Sequence, residues 1–517
     1  MKKKFLLLVS LSLFVFYSST YSQEIKNKSK LSILYVGGSA NWENVHFKNE
    51  EDRKADIQRR TASFESMLNH YFTSVKTIDA KEYRQEMSNE YDVTVIDGTP
   101  KAITEVKETK DASGKTITYI PESYFTEDFN HPMLFIGGTG ATLGRSLGLK
   151  CNWYCLCLDA NALNTRLDHE IFKGPFAVKI NQEIKPTPPD AFHYEYFLGH
   201  KTPETIPMWR VQTKGYVTEK GFRIGMVSQP WGFEDSPDAE YISSGVCQKT
   251  LDAVALGRHG NFFHWGFAAS PEYMTDEGQT VLANAICYIS KFNGKGVIAR
   301  EYLGGRATRE YLKERKYYAT TEAYKGVNGI YVDFNRKMLE ENKKINEKKA
   351  KGETLTRREE SSLNYKPFPE QTLEEFLRKY HGDLYDRFGR DSEAYAKYYD
   401  ENKDYFYGED ALYKMSLDED VKSLGIPYYE KRLLDKAIGM LEKGKDVEKA
   451  KRILNRYTMV DFNTPAKWRN WYEKNKNRMF FTETGGYYFM INTYDKTIAG
   501  NDYQEKALRT NQPIKYW

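Results

Sequence analysis

Two short stretches of this chain hold residue types that could do chemistry. In Phe192-His193-Tyr194-Glu195-Tyr196 an imidazole and a carboxylate stand two positions apart. On a strand they share one face at about 7 Å, a spacing that suits an acid/base pair or two ligands of a metal. The second stretch, residues 234–272, supplies Glu234, Asp235, Arg258, His259 and His264. If His259 or His264 joined His193 and Glu195 across a sheet, two imidazoles and one carboxylate would form a metal-type or acid/base set. Each histidine can equally be a hydrogen-bonded member of a polar seam in the core, and the three readings stay open. His193, Glu195, His259 and His264 are the catalytic candidates, and no motif names a metal or cofactor. Arg258 suits binding better, because its planar fork pairs with a carboxylate or sulfate and stays charged. Glu234 and Asp235 would line the same mouth.

The elements that must position these residues read as an α/β chain. Residues 31–36 form an apolar run ending at Gly37-Gly38, the pattern of a buried strand and a sharp loop. Phe64, Met67, Leu68, Tyr71 and Phe72 follow helical spacing. Short strands are expected at 75–78, 92–96 and 133–136, with a surface hairpin over 101–119. The strand at 133–136 enters Gly137-Gly138-Thr139-Gly140, a turn able to aim backbone N–H groups at an anion or to serve geometry alone. Further strands are expected at 176–180, 191–197, 207–211 and 223–227, some antiparallel at the edge. Residues 253–256 and 261–267 should form a buried pair joined by Gly257-Arg258-His259-Gly260. Thr275 caps a helix that closes the first domain near Lys291. Strand, helix and strand in this order predict a mostly parallel, flavodoxin-like sheet flanked by helices. Ligand sites in such sheets lie at the carboxyl ends of the strands, which adds Trp42 and Thr139 to the binding candidates.

Beyond residue 297 the chain turns helical and charged. Residues 297–365 read as a charged helical connector and 366–517 as a helix-rich C-terminal domain, with a hairpin turning at Gly485-Gly486. Trp468 and Trp471 stand at helical spacing that favours a core role over a sugar platform. The first 22 residues resemble a secretory signal, with Lys2, Lys3 and Lys4 ahead of an apolar run and small residues before Gln23. No window approaches the roughly 20 apolar residues of a membrane span. The expected compartment is therefore periplasmic or extracellular, and the expected α/β domain covers 23–296. Loss of three lysines brings the net charge from +4 to +1, and so near-neutral a chain argues against a nucleic-acid partner. Five cysteines lack paired C-x-x-C spacing, so buried thiols or one long-range disulfide are expected rather than zinc.

Residues 31–292 resemble the class I glutamine amidotransferase-like fold and, within it, the trehalose-utilisation (ThuA-like) proteins. Gly37-Gly38, the turn Gly137-Gly138-Thr139-Gly140 and Ser270-Pro271-Glu272 carry the resemblance. His169-Glu170-Ile171-Phe172-Lys173-Gly174 is similar to an H-P-I-x-x-G segment of those proteins. The resemblance implies a nucleophilic cysteine after the central strand and a His-Pro-Glu segment as its base and orienting acid. Here Thr139 and Ser270-Pro271-Glu272 occupy those positions, and a threonine without a base is a poor nucleophile. The resemblance thus implies an exported protein that binds, and hydrolyses or modifies, a carbohydrate or related small polar ligand. The second reading is a non-catalytic binding or scaffold protein with an inert amidotransferase-like domain and C-terminal helices that engage a protein partner. If the leader is cut as read, N-terminal sequencing of the exported protein will begin at Gln23; an intact Lys2–Lys4 segment would overturn the expectation.

Overall fold

The computed structural model describes residues 27–38, 49–111, 114, 116–151, 158–188, 202–213, 225–247, 251–300, 306–409 and 413–494. Trp42, His193 and Glu195 lie outside these residues, as do Cys155 and Cys157. Cys151, Cys247 and Cys287 are buried. Among the described residues no helix is long and apolar enough to cross a membrane.

The first strand, β1 (Ser29–Gly37), is buried from Ile33 to Gly37. Its successor α1 (Glu50–Tyr71) is started by Asn49, whose side chain accepts from the Asp52 backbone N–H, with three acids in the first turn. The helix buries the stripe of Phe64, Met67, Leu68 and Tyr71, and one turn earlier it buries Arg60. Then come β2 (Phe72–Asp79), β3 (Val93–Ile96), an excursion of β4 (Lys107–Lys110) and β5 (Thr116–Ile120), β6 (Met133–Ile136) and the single turn α2 (Thr139–Leu143). The second half of the sheet comprises β7 (Leu158–Leu163), β8 (Gln182–Pro186), β9 (Thr205–Arg210), β10 (Ala239–Cys247), β11 (Val254–His259) and β12 (Phe262–Trp265). The domain closes with α3 (Asp276–Ile289), capped by Thr275 as its sequence predicts.

The ten strands lie in the order β2-β1-β3-β6-β12-β11-β10-β7-β9-β8. The first five run parallel and the rest extend the sheet antiparallel. One face packs Ile33, Val95, Leu134 and Trp265 under α1 and α3. The other packs Leu34, Ile96, Phe135 and Phe262 against Leu143, Leu147 and Phe233. The antiparallel wing is larger than the sequence pattern suggests, because β7, β8 and β10 carry small or polar residues where an apolar run was the signal. Residues 176–180 are not a strand. The side chain of Asn284 accepts from the Phe176 N–H and donates to the carbonyls of Ile171 and Phe176, so this stretch is pinned to α3 instead. The turn near residue 258 is also displaced. Arg258 and His259 belong to β11, and the reversal falls at Gly260, where φ is +54°.

The C-terminal region contains α4 (Tyr311–Tyr318), α5 (Thr321–Ala350), α6 (Arg357–Ser362), α7 (Leu373–His381), α8 (Leu384–Phe388) and α9 (Ser392–Asn402). A short hairpin of β13 (Phe406–Gly408) and β14 (Met415–Leu417) leads to α10 (Glu419–Leu424), α11 (Arg432–Glu442), α12 (Val447–Tyr457) and α13 (Pro465–Asn475). The chain then forms the expected hairpin of β15 (Met479–Thr482) and β16 (Tyr488–Ile491). Trp468 and Trp471 join Tyr428, Leu434, Ile438 and Leu454 in one core, so their spacing reports packing. The expected connector packs as well: Leu312 and Ala319 share a cluster with Tyr395 and Tyr399, and Ala323 packs with Phe376.

The two regions meet at a buried ion pair. Lys150 is 1% exposed, and its Nζ lies 2.6 Å from Asp235 Oδ1. The turn after β15 completes the junction, because Thr482 Oγ1, Thr484 N and Thr484 Oγ1 all donate to Asp235 Oδ2 at 2.7–3.0 Å. Asp235→Asn would strand a buried ammonium, and breaking such a pair costs about 3–5 kcal/mol. Urea unfolding of the variant should show that loss; a change below 1 kcal/mol would mean the pair does not hold the junction.

Candidate functional site

At the carboxyl end of the parallel strands the dominant feature is an ion pair that the sequence pattern did not single out. Arg60 Nε and Nη2 reach the two oxygens of Asp97 at 2.6 Å each, and Tyr35 Oη donates to Asp97 Oδ2 at 2.7 Å. Arg60 Nη1 also donates to the Ala268 carbonyl, which ties α1 to the loop after β12. Asp97 is wholly buried. Burial opposes the charge on Arg60, but the facing Asp97 more than offsets it and raises the guanidinium pKa. A usable signal was present: Arg60 stands four residues before Phe64 on the buried stripe, and Asp97 directly follows the buried strand β3.

Thr139 lies at this edge, as expected, but it is buried and its hydroxyl is directed at the carbonyls of Ile96 and Ile136, at 3.1 and 2.8 Å. A hydroxyl held by backbone in this way fixes the turn and is not presented as a nucleophile. The Ser270-Pro271-Glu272 segment faces α1. Ser270 Oγ accepts from Arg59, Glu272 pairs with Arg59, and the Glu272 backbone N–H donates to Ser63 Oγ. The position that resembles an orienting acid is therefore used to fasten the loop. Gly98 permits the close crossing of two of these loops, since a Cβ there would stand 2.7 Å from the Gly37 carbonyl oxygen.

His259 and His264 occupy one face of the β11–β12 hairpin. In its ladder His259 is paired with Phe262 and His264 with Gly257, two rungs apart. Both rings are 2% exposed. His259 packs on the Phe233 ring at 4.3 Å, and His264 Nδ1 lies where only Gly140 leaves room, 3.2 Å from a Cβ built at that position. Burial lowers the His264 pKa to about 4, opposed by the Met226 backbone. Burial also depresses His259 far below the ordinary value, helped by the cations Lys150 and Arg258. Both imidazoles are therefore neutral near pH 7. Both rings sit in the core of the sheet.

Arg258 projects to the opposite face. Its Nε lies 2.6 Å from Glu240 Oε2, Nη1 donates to the Gly260 carbonyl, and the guanidinium stacks on Phe292 at 3.9 Å. Tyr288 Oη also donates to Glu240, and His169 Nε2 lies 3.8 Å from it. Burial acts against the Glu240 charge, but His169, Arg258 and Tyr288 hold its pKa down to about 2. Glu240 and Arg258 are direct ladder partners on β10 and β11, a pairing hidden until β10 is known to be a strand. Glu234 is exposed and pairs with Arg166, whereas Asp235 is consumed by the domain junction. Burial, with Glu234 and Glu310 nearby, raises neighbouring Asp252 to about 6.

The described candidates thus divide among two faces of the sheet, its carboxyl edge and the junction, and do not converge. Among the described residues no three His, Cys, Asp or Glu side chains gather as a metal set. The sequence matches no family model, and comparison with curated proteins and with solved structures finds no match.

The neutral histidines make stability depend on pH with a definite sign. An unfolded histidine titrates near 6.5, so between pH 6.5 and 4 the unfolded chain takes up a proton that folded His264 refuses. The stabilisation is complete above pH 6.5 and is lost as pH falls to about 4. At about 1.4 kcal/mol per pH unit, His264 accounts for roughly 3 kcal/mol across this window. Urea unfolding of the wild type and His264→Gln should differ progressively less as the pH is lowered; a constant difference would overturn the assignment.

Proposed function

We propose that this is an exported, non-catalytic binding protein in which a ThuA-like α/β domain serves as a rigid frame for the helical C-terminal region. One observation carries the reading. Of the groups that could act, those among the described residues, namely Thr139, Glu272, His259 and His264, are directed into backbone, ion pairs or core packing. A nucleophile needs a base within hydrogen-bond reach and a base needs a pKa near working pH. Buried imidazoles whose pKa values are pushed down by burial, to about 4 for His264 and well below the ordinary value for His259, do not supply that base. The first domain spends its polar residues instead on holding itself to the C-terminal region through Lys150 and Asp235.

The ligand class is a carbohydrate or related small polar molecule, supported by the ThuA-like segments. Protein partners reach the chain through the exposed side chains of α5, where Ile330, Phe334 and Leu339 face solvent. A thermal-shift screen against mono- and oligosaccharides should raise the melting temperature with at least one ligand, while the ligand is recovered unchanged and glutamine yields no ammonia. Thr139→Val should leave both results as they are. Turnover of any bound sugar, or of glutamine, that Thr139→Val abolishes would sink the non-catalytic reading.

A further inference from the structure

The C-terminal region holds a cavity of about 560 Å³, within the range of small-molecule sites. Its walls come from four separate segments: the chain entering at Arg306, the β13 exit, one face of α12 and the turn before β16. On α12, Arg452 and Arg456 stand four residues apart and so project together. The lining holds three guanidiniums and, among its carboxylates, only Glu409.

The basic wall is held in place from behind. Asp420 takes Arg452 Nε and Nη2 at 2.7 and 3.0 Å, and Asp418 takes Arg456 Nη1 at 2.5 Å. Asp418 is itself fixed, because it caps α10 and accepts from Tyr457 Oη. Each guanidinium carries five N–H donors, so these bonds set its plane and leave donors for a further oxyanion. Arg456 also lies over the Tyr407 ring at 4.6 Å, and Tyr407 and Tyr488 give the cavity aromatic surface.

The floor is too specific to be an accident of packing. A Cβ on Gly408 would fall 2.4 Å from the Ala307 carbonyl oxygen and 2.9 Å from the Tyr487 ring. Tyr487 is held at φ +61°, a region costly for a bulky residue, by the bond from its hydroxyl to the Ala307 carbonyl. Strain of this kind persists where surrounding structure fixes it, and it clusters at ligand sites.

From the convergence of Arg306, Arg452 and Arg456 with Tyr407 and Tyr488 around this cavity we infer a binding site for an acidic saccharide. Its carboxylate or sulfate is taken by the arginine forks and its ring lies against tyrosine. The saccharide part rests on the binding function proposed above; the oxyanion part rests on the cavity alone.

The test uses the full mature chain in calorimetric titrations with trigalacturonate, a sulfated trisaccharide, neutral maltotriose and inorganic sulfate. At least one acidic trisaccharide should bind tenfold or more tighter than maltotriose, and its affinity should fall as salt rises. Arg452 is exposed, so Arg452→Gln should fold normally and weaken that binding at least tenfold. Tyr407→Leu should weaken it too while leaving the salt dependence in place. If no acidic trisaccharide binds, the inference fails, and maltotriose binding in that case leaves the proposed function standing. If acidic binding survives Arg452→Gln and Tyr407→Leu unchanged, the ligand sits elsewhere and the assignment of this cavity is overturned. Sulfate alone binding as tightly as the sulfated sugar would overturn the saccharide part.

Discussion

The architecture depends on one carboxylate set against a buried ammonium. Asp235 receives the Lys150 ammonium on one oxygen and three donors from Thr482 and Thr484 on the other. Neither charge could be carried inside the protein alone, since taking an ion from water costs several kcal/mol unless partners replace its hydration. One residue on, the same turn is anchored within the C-terminal region, where Glu483 accepts from the backbone N–H and Nε of Arg309. Burial raises the Glu483 pKa, with Arg309 pulling it back, so this acid too relies on its partner. The α/β sheet and the helical region are thereby joined by charges that water cannot satisfy.

Within the sheet the same logic explains why chemistry-bearing residues yield structure here. A parallel strand edge exposes loop backbone and invites a ligand, yet in this chain Arg60 and Asp97 fill the space between α1 and the loop after β12. Thr139 is spent on two carbonyls, and Glu272 on Arg59. The histidines of β12 and β11 sit so far from solvent that their protonated forms are disfavoured across the neutral range. Polar residues in these places specify which loops touch, which is a different task from turning over a substrate.

Much of the fold was legible where its pattern is local. The strands at β1, β3 and β6, the stripe on α1, the Thr275 cap and the β15–β16 hairpin all follow from periodicity and turn residues read within one window. Of the antiparallel wing, β9 and the β11–β12 pair were legible; β8 and β10 were not, because β8 is almost wholly exposed and β10 carries Ser243, Ser244 and Gly245 in place of an apolar run. Side-chain partners across the sheet were hidden for the same reason. Glu240 meets Arg258 only through a register set by bulges at 241–244, and no spacing along the chain announces it. Composition suggested a site wherever His, Arg and Asp crowd together, but the fold distributed Arg258, His259 and Asp235 to two faces and a junction. Periodicity assigns an element, and only the complete ladder assigns a partner.

The junction also spans long stretches of chain. Lys150 and Asp235 precede the threonines that cover them by 332 and 247 residues. Closing a loop of that length costs about 5 kcal/mol of chain entropy beyond a constant. The bonds gathered at Asp235 must offset that cost. The β15–β16 hairpin thus ties together parts of the molecule encoded far apart, and without it Asp235 would keep only one of these four donors, the ammonium of Lys150.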